Sequence, residues 1–292
     1  MKKDYKDYYP LMSYRPHDEW YDGVYIDSVP CCRAARSFEM LHGDRPRECW
    51  LLIHGYRGYP GELVRPAAEL FDLGFDVYVP RLPGHGTTGE DFIHTRKKDW
   101  LGFAENALSA LKRDYDTVNI LAHSMGTAIA AVLNAEDEAP RKVVYACPCL
   151  SNSIFTKRDL KMLRLAAPFR PKVEFYWHSD PSYRMHYENA PCDDERLGRE
   201  YWSWYFTKQL LELNDLILQG ADAFASREHD HLIIYPLGDT EFSAPSVKLC
   251  RERVKGELNV AQIPGGTHYV FYDPDPAAED AAAAALAKYA KK

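Results

Sequence analysis

The 292-residue chain contains no apolar run approaching the roughly 18 residues that a membrane-spanning helix requires, so stable membrane insertion is not expected. Residues 1–9 are a Met followed by Lys, Asp and Tyr, without the apolar stretch of a secretion signal. There is no basic block: 36 Lys and Arg stand against 43 Asp and Glu, for a net charge of −7, and nucleic acid is not an expected partner. Cysteine is sparse and odd in number, at seven. The two close pairs, Cys31-Cys32 and Cys147-Pro-Cys149, lack the spacing of a zinc knuckle. They read as reduced thiols filling the core of a cytoplasmic protein. His229 and His231 resemble a metal pair, but no Cys or acidic cluster is spaced to join them, so no metal site is expected. Gly84, Gly86 and Gly89 lack the GK[ST] ending of a phosphate loop. Internal repeats and low-complexity linkers are missing too.

What is present is an ordinary globular balance, 46% hydrophobic and 27% charged, with a high aromatic share of 13% that includes 20 Tyr. From residue 50 onward, short apolar runs alternate with helical spacing. Strands are predicted at 50–53, 76–79, 118–122, 143–146, 232–235 and 258–263, and helices at 63–73, 99–111, 125–133, 247–254 and 277–289. That alternation predicts an α/β fold, a mostly parallel sheet with helices on both faces. Two regions break the rhythm. Residues 1–49 are rich in Tyr, Pro and charge and are read as a leading segment of antiparallel strands. Residues 150–225 show no clear strand, and their second half reads as a helix with Trp202, Phe206, Leu210 and Leu213 on one stripe. This interval is read as an inserted cap over a core formed by 1–149 and 226–292.

The strongest chemical signal is Leu121-Ala-His-Ser-Met-Gly-Thr127. A strand ends, a serine follows, and a helix of small residues begins at once. Such a turn holds the Ser124 hydroxyl above the sheet edge, and it crowds the positions two before and two after, which are Ala122 and Gly126. A Gly-rich loop, His54-Gly-Tyr-Arg-Gly58, ends the 50–53 strand and is suited to aim backbone N–H groups at a developing oxyanion. Pro83-Gly-His-Gly86 follows the next strand, and Trp100 leads a helix.

In this order of motifs the chain resembles the serine α/β-hydrolases, specifically bacterial carboxylesterases and monoacylglycerol lipases, over roughly residues 48–290. Ala122 stands where that family's usual first residue is Gly. The resemblance implies an α/β-hydrolase fold with Ser124 as nucleophile and His268, in the loop Gly265-Gly-Thr-His268, as general base. Asp239 is the preferred acid, matching the family's Asp-x-x-apolar-Ser phrasing through Phe242 and Ser243. Glu241 is the alternative, matching Gly-x-x-acid after Gly238. The resemblance also implies an oxyanion hole from the backbone N–H groups of Tyr56 and Met125. His54 and His85 are expected to brace loops, and His123 to point back into the fold.

The expected activity is hydrolysis of a small-molecule carboxylic ester through an acyl-enzyme, without metal or organic cofactor, on uncharged short or medium acyl, monoacylglycerol or aromatic esters. The same triad would serve a thioesterase, a proline-type aminopeptidase or a carbon–carbon bond hydrolase. A catalytically silent ligand-binding protein on the same scaffold is the alternative outside enzymes.

Overall fold

The computed structural model describes residues 4–14, 31, 33–44, 46–136, 141–151, 155–174, 176–178, 182, 197–224, 230–240 and 242–292. Among these the strands are β1 (Met12–Tyr14), β2 (Phe38–Met40), β3 (Glu48–Ile53), β4 (Asp76–Val79), β5 (Thr117–His123), β6 (Lys142–Ala146), β7 (Lys172–Glu174), β8 (Trp204–Phe206), β9 (Asp230–Pro236) and β10 (Leu258–Ile263). The α-helices are α1 (Val64–Asp72), α2 (Gly89–His94), α3 (Lys97–Leu111), α4 (Met125–Glu136), α5 (Lys157–Ala166), α6 (Thr207–Phe224), α7 (Ser243–Arg253) and α8 (Pro276–Ala290).

Eight strands form one sheet in the order β1-β2-β4-β3-β5-β6-β9-β10. The six from β4 to β10 are mutually parallel, whereas β1 and β2 pair antiparallel at the edge. The inner parallel strands are short apolar runs because helices cover both faces and enclose most of their side chains, whereas the edge strand β10 is buried only at Ile263. Trp50 to Ile53, Ile120 to Ala122 and Val143 to Ala146 are all fully buried. Helices α1 and α8 pack together, and α3, α4 and α6 pack together, giving the two outer layers. The register pairs Ile53 with Ala122, Ala122 with Tyr145, and Ala146 with Ile234, so β3, β5, β6 and β9 end side by side. The loops after these strands meet at that carboxyl edge, where open parallel sheets place their ligands.

The interval 150–225 differs from its sequence reading. The expected helical stripe is interrupted: a π-helical turn, Gly198–Trp202, is followed by β8, and α6 starts only at Thr207. Trp204, Tyr205 and Phe206 are three consecutive aromatic side chains, a run that suits extended backbone. They pair antiparallel with β7 through Val173 opposite Tyr205. The expectation of an interval without strands is therefore corrected. Helices α2 and α5 were not foreseen either.

Candidate active site

Strand β5 ends at His123, and Ser124 follows at φ 52°, in the left-handed region, before α4 opens at Met125. That conformation is uncommon for a side-chain-bearing residue, and it makes the sharpest passage from strand into helix. The Ser124 N–H donates to the Ala146 carbonyl at 3.0 Å, and the Ser124 carbonyl accepts from Thr127 N–H at 2.9 Å. Gly126 is required by close approach: a Cβ there would lie 2.5 Å from the Ile53 carbonyl oxygen. Ala122 sits in register between Ile53 and Tyr145, fully buried, where a methyl group is accommodated.

The loops after β9 and β10 bring the acid and the base to this turn. Asp239 Oδ2 accepts from His268 Nδ1 at 2.7 Å, and His268 Nε2 is 2.8 Å from Ser124 Oγ. A carboxylate only accepts, so Nδ1 carries the ring proton and Nε2 is free to accept the serine proton. Burial pushes the Asp239 carboxyl up. The hydrogen bond and charge of His268, with the Ser243 hydroxyl and the Phe242 N–H, outweigh that and hold it below the usual carboxylate range. Thr267, the neighbour of His268, donates through its hydroxyl at 2.8 Å to Asp273, which is buried behind the loop. Glu241, the alternative acid, lies outside the described residues.

Tyr56 and Met125 both line the cavity beside Ser124. Met125 opens α4, so its N–H is one of the first-turn donors without an intrahelical partner, at the positive end of the helix dipole. The Tyr56 loop is fixed from behind. His54 donates from Nδ1 to the Gly55 carbonyl at 3.0 Å and accepts from Leu82 N–H at its other nitrogen. Burial holds its ring neutral, with the pKa lowered to about 3. His85 binds the Pro83 carbonyl at 3.0 Å.

Four residues that the sequence did not single out for the site bear on it. The Arg57 guanidinium donates to the carbonyls of Tyr201 and Trp204, at 3.1 and 2.8 Å, stapling the Gly-rich loop to the segment before α6. Asp273 orders the histidine loop, as above. Glu62 is buried and lines the cavity. His123, expected to point back into the fold, is buried there, and it also borders the cavity and donates from Nε2 to the His268 carbonyl at 2.8 Å. Burial and the nearby His268 keep its pKa down at about 3, so it is neutral. Arg57, Glu62 and His123 owe these roles to tertiary neighbours, and Asp273 owes its role to Thr267, six residues earlier in the same loop.

A cavity of about 930 Å³ opens over Ser124 and His268. Its walls are largely apolar, with Phe155, Leu163, Leu210, Leu213 and Phe242 prominent. Among the described residues, Cys147, Asp239 and His268 offer metal-ligand atoms within 4.8 Å of one another. Asp239 and His268 already meet at 2.7 Å, closer than two ligands of a tetrahedral ion bound at about 2 Å stand. Burial also pushes the Cys147 thiol up, against the thiolate form. Of the suspected metal pair, His229 lies outside the described residues, and His231 is buried against Phe224 and Tyr145.

The arrangement is equipped to take a proton from a serine hydroxyl and to hold the resulting imidazolium against a carboxylate. Comparison with known proteins agrees with the fold. A sequence model described as the Alpha/beta hydrolase family matches residues 40–281. The chain is 38% identical over 84 residues to a thermostable monoacylglycerol lipase of Bacillus sp. (strain H-257), covering 28% of this chain and 33% of that protein. It is 27% identical over 77 residues to a carboxylesterase of Bacillus subtilis (strain 168), covering 26% and 31%. The matched stretch thus spans about a third of the length of these curated relatives. A solved monoacylglycerol lipase of Paleococcus ferrophilus superposes with a TM-score of 0.65 at 15% identity, covering 87% of this chain and 98% of that one.

Proposed function

Given that the chain belongs to the Alpha/beta hydrolase family, we propose that it is a serine carboxylic ester hydrolase acting through an acyl-enzyme. The observation that carries this reading is the pair of hydrogen bonds joining Asp239 to His268 at 2.7 Å and His268 to Ser124 at 2.8 Å. Ser124 Oγ attacks the ester carbonyl carbon while His268 Nε2 takes its proton. Asp239 keeps the ring in the tautomer that accepts at Nε2 and stabilises the imidazolium. The backbone N–H groups of Tyr56 and Met125 hold the oxyanion, an interaction that commonly contributes on the order of a hundredfold or more per donor. The tetrahedral adduct collapses, the C–O bond breaks, and the alcohol leaves with the proton from His268. Water then attacks the acyl-enzyme with His268 again as base, releasing the acid and restoring Ser124. None of these steps draws on a metal or an organic cofactor.

The apolar cavity walls support an uncharged acyl group, whether a short or medium chain, a monoacylglycerol or an aromatic ester. Residues 150–225 act as an inserted cap on the core of 1–149 and 226–292. In support of this, Leu163 from α5, Tyr205 from β8 and Leu210 from α6 all line the cavity above Ser124. A cytoplasmic setting is supported by Cys147, Cys149 and Cys250, which are buried free thiols. Among the described residues no helix is long and apolar enough to cross a membrane.

Replacing Ser124 by Ala is expected to abolish turnover of p-nitrophenyl esters while leaving the melting temperature near that of the wild type. A fluorophosphonate probe is expected to label the wild type at Ser124 and to leave the variant unlabelled. Unchanged turnover in the variant overturns the reading. Failure of the wild type to turn over esters or to label assigns the scaffold to ligand binding instead.

A further inference from the structure

Helix α5 has no buried residue. One side, with Leu160, Leu163 and Ala166, is half-buried towards the cavity and α6. The other side presents Met162, 59% exposed, and Leu165, 62% exposed, and the chain continues to Phe169, 85% exposed. Val173 of β7, Tyr205 opposite it on β8, and Tyr176 just beyond are exposed as well. Of the eleven large apolar side chains exposed among the described residues, six lie in this one region. Scattered exposed apolar residues are ordinary, but a contiguous group marks a docking face.

The charge of this region is opposite to that of the rest. Residues 157–176 contain Lys157, Arg158, Lys161, Arg164, Arg170 and Lys172 against two acids, Asp159 and Glu174, for a net +4. The whole chain is −7, so the remainder carries −11. All six cations are exposed. Lys161 and Arg164 flank the Met162–Leu165 stripe along α5, and Lys172 Nζ lies 4.4 Å over the Trp204 ring. A two-fold contact between copies through this face would set +4 against +4. An apolar stripe between rows of long cationic side chains fits an interface whose interior is hydrocarbon and whose surface is anionic.

We propose that α5 and the paired strands β7 and β8 form a docking surface for anionic lipid bilayers. Leu165 and Phe169 enter the boundary between headgroups and acyl chains, and the Lys and Arg side chains reach the lipid phosphates. Met162, Val173 and Tyr205 are exposed and also line the cavity. Docking therefore turns the cavity mouth towards the lipid, so that an apolar ester passes from bilayer to Ser124 without crossing water. That last step rests on the ester hydrolase reading. The docking itself does not.

The test is co-sedimentation of the full chain with sucrose-loaded vesicles of phosphatidylcholine alone and with roughly a third phosphatidylglycerol, at low and at high salt. Two double variants are compared, Lys161→Glu with Arg164→Glu, and Leu165→Ser with Phe169→Ser. These four side chains lie outside the cavity and are exposed, and melting temperature verifies the fold. The expected result is binding to the anionic vesicles at least tenfold tighter than to the neutral ones. Salt weakens it, and each double variant reduces it at least tenfold. Equal affinity for both vesicles, no binding, or full binding by either variant overturns the proposal. So does concentration-dependent dimerisation in gel filtration that Phe169→Ser abolishes, which would assign the face to a second copy. Turnover of a water-soluble nitrophenyl ester is followed in parallel. Its absence in the wild type, with vesicle binding intact, overturns the ester reading and leaves the docking surface standing.

Discussion

Glu62 is a carboxyl enclosed behind the Gly-rich loop of Tyr56, 6% exposed and part of the cavity wall. Burial raises its pKa from 4.5 to about 8, partly offset by hydrogen bonds from the Tyr272 hydroxyl and the Tyr59 N–H. The folded protein therefore keeps a proton that the unfolded chain releases above about pH 4.5. The stability from this neutral form is complete below that pH and is lost as pH rises through about 8. Glu62→Gln keeps a hydrogen-bonding group of the same shape that never ionises. Its melting temperature is expected to match the wild type near pH 5 and to exceed it by about 5 °C near pH 9. A wild type more stable than the variant at pH 9 would show that Glu62 is ionised and compensated in the fold. At this scale the sequence is legible only where chemistry is carried by a local pattern. Ser124 stands out because a strand, a serine and small residues succeed one another, and His268 because it follows two glycines after the last strand. Glu62, His123, Arg57 and Asp273 do not: Arg57 meets Trp204 147 positions on and His123 meets His268 145 positions on, Glu62 meets Tyr272 only in the fold, and Asp273, though six residues from Thr267, belongs to no recognisable pattern.

Among the elements, the strands of the parallel sheet were readable because burial on both faces leaves nearly continuous apolar runs. The predicted bounds 76–79 and 258–263 coincide with β4 and β10. Helix α5 escaped because its apolar side is exposed and interleaved with charge, although Thr156 and Asp159 form a capping box at its start. Strand β8 escaped because a helical stripe happened to continue through Trp202 and Phe206. Its partner β7 lies about thirty residues earlier, beyond the reach of any periodicity. The sequence also leaves unseen how tightly two loops press together. A Cβ on Gly238 would lie 2.2 Å from the Gly266 carbonyl oxygen, so the loop carrying Asp239 and the loop carrying His268 touch backbone to backbone. Gly238→Ala must part them. A misplacement of order 1 Å costs on the order of a hundredfold in rate, so kcat is expected to fall by about that factor, with KM far less affected. Recovery of wild-type kcat in the alanine variant would mean that the loops separate without disturbing the 2.7 Å contact between Asp239 and His268.

Across the whole molecule, the cavity belongs to neither half of the chain alone. Its floor is the carboxyl edge of the sheet, with Gly55, Ser124 and His268, and its walls are Phe155, Leu163, Leu210 and Leu213 from the interval that interrupts the sheet. Sequence alone could foresee the floor, since motifs at strand ends converge by topology. It could foresee the walls in part, since Leu210 and Leu213 lie on the apolar stripe read as a cap, but not Phe155 and Leu163, which join them only once α5 and α6 pack together. On the ester hydrolase reading, the expected consequence is a substrate preference set by burial. Each methylene moved from water onto an apolar wall contributes about 0.8 kcal/mol, roughly a fourfold gain per step. In a series of nitrophenyl esters, kcat/KM is expected to climb about three- to fourfold per added methylene from acetate until the cavity of about 930 Å³ is filled, and then to level or fall. A terminal carboxylate on the acyl chain should cost at least a hundredfold against the isosteric neutral ester, because these walls offer few partners for a desolvated charge. A flat series, or a preference for the charged acyl group, would show that the reacting ester does not place its acyl chain against Leu163, Leu210 and Leu213.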